Sequence, residues 1–369
     1  MKNSADVYPS SRLFSLDALR GLDMIFLTVV QPMLVTLNRC VKLPDAVMGQ
    51  LRHGWECFTA YDIIMPLFIF MCGAAIPFAL PKRLEGGRAG WTYWRHVLGR
   101  VALLWVCGMF VQGNLATLDP LQIKLFSNTL QSIAVGYLAT AAVLLIPRRA
   151  IRIAIPFALF AVYGLLVHFG GDYTPEGNAT ALFERMVDGV IYPKGNVCVA
   201  KPSVYTWYLP SMMFAAMTLC GFHATEILRS GMTAWRKAGA SFGYGAGMLA
   251  AGWLLSVWVP VIEPIYTVSF TLQAMGWCEL ALATLFVVND IWQVRRGWGA
   301  VILFGQFALT AYLVSHVPFR PALDAFARFF AQGFPRILGD KWQPMVVWAF
   351  CTVGIVGCLL VRRRLKARA

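Results

Sequence analysis

Ten apolar runs are spread along this 369-residue chain, and each is about as long as the helix that crosses a lipid bilayer. Their approximate limits are 22–37, 59–80, 97–113, 128–146, 151–169, 205–228, 239–259, 264–288, 299–317 and 343–361. A helix satisfies its backbone hydrogen bonds internally, which the hydrocarbon region of a membrane requires. The sequence therefore predicts an all-α, polytopic membrane protein with about ten transmembrane helices.

The composition supports this fold class. Hydrophobic residues make up 58% of the chain and charged residues only 14%, whereas about a quarter of the residues in a soluble domain are charged. The net charge of +14 invites a nucleic-acid interpretation, but the basic residues stand in short clusters between the apolar runs. Cytoplasmic loops of membrane proteins are enriched in Lys and Arg. We therefore attribute the charge to membrane topology and expect no nucleic-acid partner.

The positions of the basic residues predict the orientation. With the N-terminus inside, the cytoplasmic segments hold about 21 of the 32 basic residues, in accord with the positive-inside rule. An even number of spans then places both termini in the cytoplasm, and residues 1–369 form a single transmembrane domain. Two long loops fall outside, at about 170–204 and 318–343, and the second contains an amphipathic stretch from Leu323 to Phe330.

The nine cysteines predict neither a disulfide framework nor a metal site. Most of them lie inside apolar runs, where a thiol behaves as a small hydrophobic group. The chain has no CxxC pair, and its five histidines are scattered. We therefore expect no bound metal.

Polar residues in the first two runs predict a pocket. Gln31 lies about 9 Å below the outer end of the first helix, and Asp62 about 6 Å below the outer end of the second. Polar groups at membrane depth are costly and commonly functional. Pro32 and Pro66 each remove a helical hydrogen bond beside these residues, and backbone freed in this way needs protein or a water-filled cavity. Two polar groups beside two interrupted helices indicate a cavity.

The loop between these helices carries His53 above the predicted pocket. Histidine titrates near neutral pH and can act as a general base or carry an acyl group. A carboxylate such as Asp62 would hold the imidazole in one tautomer. A structural interpretation is equally open, in which His53 is an ordinary loop histidine and Gln31 and Asp62 only stabilise their helices.

At the other end of the first helix, Arg20 faces the cytoplasm. Asp17 precedes it by three residues, so an ion pair within the helix is one interpretation. The other is that Arg20 contacts a phosphate. About 16 Å of helix separates Arg20 from Gln31, so an extended ligand anchored by phosphate at the inner end could reach the predicted pocket.

Three blocks of sequence carry a resemblance to a known family. They are the segment 15–21 (SLDALRG), His53 with Trp55 followed by 62–70 (DIIMPLFIF) and Gly73, and the segment 128–137 (NTLQSIAVGY). Together they resemble the heparan-α-glucosaminide N-acetyltransferase family, and among its members the bacterial NagX-like proteins. The resemblance covers the first five predicted spans well and the remainder loosely.

This resemblance implies a transmembrane acetyltransferase of a bacterial inner membrane. Members of the family take acetyl from cytoplasmic acetyl-CoA and deliver it to the amino group of a glucosamine on the far side. His53 matches the family's essential histidine, as general base or transiently acetylated group. Gln31 stands where an asparagine is used and would polarise the thioester carbonyl, and Asp62 would orient His53. Gly305-Gln306-Phe307 departs from the family's G-x-N motif, so we expect no catalytic role for that helix.

Further residues are candidates for contact with the two substrates. Proteins hold sugars by hydrogen bonds and by stacking on aromatic rings. Trp and Tyr are also common at membrane interfaces, so a purely interfacial role is the alternative. The candidates for the sugar site, all at outer helix ends, are Trp55, Asn128, Gln131, Trp207, Glu263 and Tyr266. Arginine suits bidentate phosphate binding; the candidates for coenzyme A are Arg20, Arg95, Arg100, Arg148 and Arg149.

Two other functions fit the same features. A transporter or permease for a sugar or another small solute would also need intramembrane polar groups and broken helices, but would move the sugar itself. An O-acyltransferase of a cell-envelope glycan would use a hydroxyl acceptor. The sequence leaves the oligomeric state open, with a homodimer among the alternatives. The expected partners are acetyl-CoA, an amino-sugar acceptor and the lipid bilayer.

Overall fold

A computed structural model of the chain describes residues 13–84, 89–114, 121–193, 195, 203–316, 319–334, 337 and 339–368. Throughout these residues the regular structure is helical, without a β-strand. The α-helices are α1 (Phe14–Ile25), α2 (Gln31–Cys40), α3 (Asp45–Gly49), α4 (Ile64–Ala79), α5 (Trp91–Val111), α6 (Thr129–Val143), α7 (Arg149–Phe169), α8 (Ala179–Ile191), α9 (Ser211–Leu228), α10 (Ala234–Leu255), α11 (Val268–Leu285), α12 (Gly299–Gln306), α13 (Ala308–Ser315), α14 (Arg320–Ala331) and α15 (Gln343–Arg368). The predicted cytoplasmic N-terminus, residues 1–12, and parts of both predicted outer loops lie outside the described residues.

Within the described ranges, seven helical segments are long and apolar enough to cross a membrane, which confirms a helical membrane protein. They are Phe14–Cys40, Tyr61–Ala79, Trp91–Val111, Arg149–Phe169, Ser211–Leu228, Val268–Ile291 and Asp340–Ala367. The three other predicted runs are also helical, as α6, α10 and the pair α12 and α13, but fall outside this set. The count of ten spans therefore stays a prediction.

The outer faces of the peripheral helices are apolar. Leu103 in α5, Leu165 in α7, Trp253 in α10 and Val353 in α15 all expose more than half of their surface. Lipid tails would cover these side chains in a bilayer. The helix α9, by contrast, is buried around most of its circumference and lies at the centre of the bundle.

Glycines allow α4 and α9 to pack with their backbones in contact. A Cβ atom on Gly73 would lie 1.8 Å from the carbonyl oxygen of Thr218, and one on Gly221 would lie 1.9 Å from that of Phe70. Small residues are the usual means of such close approach between membrane helices. The two glycines therefore fix the position of the second span against the central helix.

The helices α1 and α12 make a second reciprocal contact of this kind. A Cβ atom on Gly21 would lie 1.9 Å from the carbonyl oxygen of Val301, and one on Gly305 would lie 2.1 Å from that of Asp17. The glycine that ends the segment 15–21 therefore has a packing function. The contact also sets α12 and α13 beside the first span.

The first span is interrupted where Pro32 predicts an interruption. A π-helical segment, Phe26–Val30, joins α1 to α2, and the N–H of Gln31 bonds to the carbonyl of Phe26, one residue further back than in an α-helix. Pro66 behaves differently, because it lies in the first turn of α4, after the 3-10 turn Tyr61–Ile63. It marks the start of the α-helix and does not break it.

Each predicted outer loop contains a helix. The helix α8 lies in the first loop, where the apolar pattern predicted no helix. The helix α14 lies in the second and includes the stretch that was predicted to be amphipathic. Leu323 and Ala327 on its inner face are buried, whereas Phe326 and Phe329 are exposed. The predicted amphipathic character of this stretch is therefore confirmed.

Candidate functional site

The loop between α2 and α4 places His53 against two carboxylates. The Nδ1 atom of His53 lies 2.6 Å from Oδ1 of Asp62 and 3.4 Å from Oε2 of Glu263. The acidic side chains are almost fully buried, with 1% and 3% of their surface exposed, whereas 37% of the His53 side chain is exposed. Two buried acids thus hold one accessible imidazole.

The start of the second span explains the position of Asp62. Its second carboxylate oxygen, Oδ2, accepts a hydrogen bond of 2.8 Å from the backbone N–H of Thr59. The bond resembles that of a capping box, in which an acidic side chain in the first helical turn satisfies a free N–H group just before the helix. The bond leaves Oδ1 directed at the imidazole, so one side chain both starts the helix and orients His53.

Glu263 reaches the site from the distant segment between α10 and α11. The hydroxyl of Tyr205 donates a hydrogen bond of 2.5 Å to Oε2 of Glu263. The ring of Tyr205 also lies edge-on to His53, with centroids 5.9 Å apart, and Tyr61 lies 4.7 Å from the imidazole centroid. Two aromatic rings therefore restrict the orientation of the imidazole.

These neighbours change the pKa of both ionisable groups. Burial lowers the pKa of His53, but the hydrogen bond with Asp62 and the charges of Glu263 and Asp62 outweigh it, so the pKa lies above its ordinary value. Burial raises the pKa of Glu263 to about 7, against the opposing effects of His53 and Tyr205. Groups that titrate in this range suit proton transfer near neutral pH.

The same three side chains are also of the types that bind metal ions, where the sequence led us to expect none. One potential ligand atom from each of His53, Asp62 and Glu263 lies within 4.8 Å of the others. Hydrogen bonds already engage these atoms, since Asp62 bonds to the imidazole and Tyr205 donates to Glu263. In this arrangement the three side chains and Tyr205 form one hydrogen-bonded network.

A cavity of about 380 Å³, which we name the His53 cavity, opens beside the imidazole. It lies at the end of the bundle where α2 and α5 finish and α4 and α6 begin. Its walls combine aromatic and polar side chains; they include His53, Tyr61, Gln112, Asn128, Tyr205, Trp207, Glu263, Tyr312 and His316. A small polyhydroxylated or amine ligand fits such a mixture of stacking surfaces and hydrogen-bonding groups.

A second cavity, of about 770 Å³, lies towards the other end of the same helices. We name it the arginine cavity, because its cationic lining residues are Arg20, Arg83, Arg95 and Arg100, with His96 beside them. A concave surface lined by one sign of charge concentrates ligands of the opposite charge. This cavity therefore suits an anionic ligand.

The two cavities share three lining residues, Phe68, Thr129 and Tyr312. The rings of Phe68 and Tyr312 meet edge to face, with centroids 6.4 Å apart. Along the second span, lining positions continue from Tyr61 through Phe68 to Ala75, which lie on one helix face over about 21 Å. One helix face therefore connects the arginines to the imidazole.

Three of the predicted acceptor-site residues line the His53 cavity: Asn128, Trp207 and Glu263. Asn128 is the N-cap of α6, since its Oδ1 atom accepts a hydrogen bond of 2.8 Å from the N–H of Leu130. Its amide nitrogen lies 3.5 Å from the hydroxyl of Tyr312. Asn128 thus starts its helix and also presents a polar group to the cavity.

Trp55 and Gln131 do not line either cavity, and their polar groups are engaged elsewhere. The indole N–H of Trp55 donates a hydrogen bond of 2.8 Å to the carbonyl of Tyr173. The amide of Gln131 is fully buried, accepts from the N–H of Ser127 and donates to the carbonyl of Leu125. Both side chains stabilise loops around the site, and their contact with a sugar stays a prediction.

Tyr266 is likewise fully buried, although it is close to Glu263 in the chain. Its hydroxyl donates to the sulfur of Met65, and its ring packs edge to face on Phe214 and Phe270. Its φ angle is +50°, in the left-handed region, so this side chain is held by its packing. The predicted contact with a sugar has no support from this position.

Gln31 is half-buried at the start of α2. It is not among the lining residues of either cavity and, within the described residues, makes no hydrogen bond with His53 or Asp62. Its role in polarising a thioester therefore stays a prediction. The second polar group beside His53 is Glu263, which sequence spacing could not relate to His53.

The predicted phosphate-binding arginines divide into two groups. Arg20 and Arg100 line the arginine cavity, as does Arg95, whereas Arg148 and Arg149 lie at the start of α7 and do not. Arg20 also pairs with Asp17 at 3.6 Å, as the first interpretation predicts, whereas its contact with a phosphate stays a prediction. The order of the helices along the chain does not indicate that the start of α7 lies away from this cavity.

Several lining residues had no specific signal in the sequence. Arg83 and His96 belong to a basic cluster that the positive-inside rule already explained. Gln306 comes from α12, for which we expected no catalytic role, whereas Tyr312 lies in α13 and His316 follows it. They line the cavities because the Gly21–Gly305 contact sets these helices against the first span.

Comparison of the chain with models of known protein families finds no match, and a search of curated proteins finds none either.

Proposed function

We propose that this protein is a membrane-bound acetyltransferase that transfers acetyl from acetyl-CoA to the amino group of a glucosamine-type sugar. One observation carries the proposal: a cavity lined by arginines and a cavity lined by His53 and Glu263 share Phe68, Thr129 and Tyr312. The two substrates would enter from opposite ends and meet between these residues.

The arginine cavity would hold acetyl-CoA. The phosphates of coenzyme A are anionic, and guanidinium groups bind phosphate through charge-assisted, bidentate hydrogen bonds. The extended pantetheine arm would follow the face of the second span, so that the thioester lies near Phe68 and Tyr312. The apolar lining along this path suits the acyl end of the molecule better than its phosphates.

The His53 cavity would hold the amino sugar. Tyr205 and Trp207 offer aromatic faces, and their rings stack with an interplanar angle of 29°. Glu263 and Asn128 offer hydrogen-bonding groups at the same cavity. A carboxylate near the reacting nitrogen would attract the cationic form of an amine, which His53 could then deprotonate.

The chemistry would use the free nitrogen of His53. When Nδ1–H donates to Asp62, Nε2 carries the lone pair and can act as a base. The neutral amine attacks the thioester carbonyl, and Nε2 takes the proton that the nitrogen loses. The C–S bond then breaks, the imidazolium returns its proton to the thiolate, and the products are the amide and free coenzyme A.

A second route uses the same residues in two steps. Nε2 would itself attack the thioester carbonyl and expel the thiolate, which forms an acetyl-imidazole. The sugar amine would then attack this acetyl group, the bond from the acetyl carbon to Nε2 would break, and Nε2 would take the proton that the amine nitrogen loses. Incubation with labelled acetyl-CoA alone distinguishes the routes, because only the second one transfers label to the protein and does so only when His53 is present.

We further propose the topology of ten spans with both termini in the cytoplasm of a bacterial cell. The arginine cavity then opens to the cytoplasm, where acetyl-CoA is available, and the His53 cavity opens to the periplasm. The distribution of Lys and Arg supports this orientation. The acceptor would therefore be acetylated without crossing the inner membrane.

Sealed proteoliposomes would test the function. Acetyl-CoA with a labelled acetyl group is placed on the side of the arginine cavity, and separately labelled glucosamine on the other side. We expect acetylated glucosamine to appear where the glucosamine was supplied. Sugar that crosses unmodified would instead establish the transporter, and acetylation of a hydroxyl on an N-blocked sugar would establish the O-acyltransferase.

Variants make this test specific for the site. His53→Ala should abolish transfer, whereas His168→Ala, at an exposed position on the same end of the bundle, should retain it. Full activity of His53→Ala in correctly folded protein would refute the proposed role of the imidazole.

A further inference from the structure

A third cavity, separate in its lining residues from the two described above, lies between α2, α14 and α15. Its volume is about 310 Å³, and it is at the end of the bundle that carries His53. Three arginines line it, Arg39, Arg320 and Arg328, against a single acidic residue, Asp324. The cavity therefore has an excess of positive charge at a helix end, where a membrane surface would lie.

Only one of these arginines is neutralised within the described residues. The Nε atom of Arg320 lies 3.0 Å from Oδ1 of Asp324, one turn along α14. Arg39, in the last turn of α2, and Arg328, in the last turn of α14, make no ion pair with any described carboxylate. Two guanidinium groups from different helices are thus available to one ligand.

The surroundings of the cavity indicate a lipid. Large apolar side chains are exposed on α14 and its flanks; they are Phe319, Phe326, Phe329, Phe330 and Phe334. An amphipathic helix with aromatic residues on one face and arginines beside it is typical of a helix that lies in the membrane interface. The apolar chains of a lipid would contact the phenylalanines while its headgroup enters the cavity.

We propose that this cavity binds the anionic headgroup of a phospholipid in the adjacent leaflet. Arg39 and Arg328 would bind the phosphodiester, since guanidinium groups match phosphate oxygens in bidentate geometry. The hydroxyl of Thr36 and the amide of Gln343 also line the cavity and provide polar contacts for the headgroup. The lipid would bridge the first span and α14, whose N-terminus bonds to the carbonyl of His316 through the N–H of Arg320.

Lipid binding to the full-length protein in an uncharged detergent tests this inference. The delipidated protein is mixed with phosphatidylglycerol or with phosphatidylcholine of the same chain lengths, and bound lipid is counted by native mass spectrometry. The wild type should prefer the anionic lipid. The double variant Arg39→Gln, Arg328→Gln should lose about tenfold or more in affinity for phosphatidylglycerol, because two charge-assisted contacts are removed.

Controls separate the site from general attraction. Arg52→Gln removes an exposed arginine at the same end of the bundle and should leave the preference unchanged. If the wild type binds the two lipids equally well, this result alone would overturn the proposal. So would complete displacement of the lipid by inorganic phosphate, which would show that the cavity binds the free anion. This experiment measures no acetyl transfer, so its failure and that of the proposed function are distinguishable.

Discussion

The Nδ1 atom of His53 and the Oδ1 atom of Asp62 are 2.6 Å apart, which ties the loop after α2 to the first turn of the second span. The other oxygen of Asp62 is already bound to the N–H of Thr59. The carboxylate therefore cannot rotate away without losing a helix-capping bond. The helix start thus determines the direction in which the imidazole is held.

Replacing Asp62 by Asn tests this relationship. The Asn side chain keeps an oxygen for the N–H of Thr59, so the fold should be retained, but its amide would donate to Nδ1 and favour the wrong tautomer. We expect kcat for acetyl transfer to fall by about a hundredfold or more, as in other histidine–aspartate sites. A change of less than threefold in folded protein would argue against Asp62 as the residue that orients His53.

The pH dependence of transfer should report on His53 and Glu263. Because the pKa of His53 is raised, the imidazole is protonated and unable to act as a base at low pH, and activity should rise as pH increases through that pKa. Glu263→Gln removes one negative charge that raises this pKa, so the rising limb should move to lower pH. The measurement is kcat/KM for the acceptor against pH.

A control variant for the pH profile is Asp45→Asn, at an exposed position in α3. It removes one negative charge from the same end of the bundle without touching the His53 cavity. The rising limb should stay in place. Equal shifts in the two variants would indicate a general surface-charge effect instead of a contact with Glu263.

Arg100→Gln tests the arginine cavity. The side chain lines this cavity and lies over the ring of Tyr137, 4.7 Å from its centroid. Loss of one charge-assisted contact should raise KM for acetyl-CoA about tenfold with a smaller change in kcat. Arg149→Gln, which removes an arginine outside the cavity, should leave KM unaltered. A raised KM in Arg149→Gln together with an unaltered KM in Arg100→Gln would argue against the arginine cavity as the site of acetyl-CoA.

Narrowing the junction of the two cavities should block transfer but not binding. Thr129 lines both cavities, and Thr129→Trp would fill part of the space between them. Because reacting atoms must approach within contact distance, we expect kcat to fall about tenfold or more while acetyl-CoA still binds. Thr129→Val, which nearly preserves the volume, should retain activity. Unimpaired transfer by the Trp variant would mean that the acetyl group takes another path.

Gly73→Ala tests the packing of the second span. The added methyl group would lie 1.8 Å from the carbonyl oxygen of Thr218, so α4 and α9 would have to separate. We expect a loss of about 1–3 kcal/mol in stability, seen as a lower Tm in detergent. Gly243→Ala in α10, where a Cβ atom has nothing within 4 Å, should be neutral.

Much of the candidate site could be anticipated because parts of it are local in sequence. His53 and Asp62 are nine residues apart, and the helix start between them brings both to the same end of the second span. Arg20 was recognisable from its place at the opposite end of the first span. Depth along a helix follows from residue number, since each residue adds about 1.5 Å.

Other parts of the site depend on contacts between helices far apart in the chain. Glu263 reaches His53 only because the segment before α11 packs against the start of the second span. Tyr312 lines both cavities because Gly21 and Gly305 bring α12 to the first helix. Which helix face meets which neighbour cannot be inferred from the apolar pattern of a membrane helix, because that pattern is nearly uniform around its circumference.

The sequence by itself determined that this chain forms apolar helices long enough to cross a membrane, because lipid leaves the backbone no hydrogen-bonding partner other than itself. It also located His53 and Asp62, which are only nine residues apart and therefore lie at the same end of the second span. Only the tertiary structure decided that Glu263 lies beside His53, that Gln31 and Arg149 do not line the cavities, and that the two cavities share lining residues. Those relationships arise from interhelical packing, where glycine contacts and side-chain shape select one arrangement of helices that are alike in hydrophobicity.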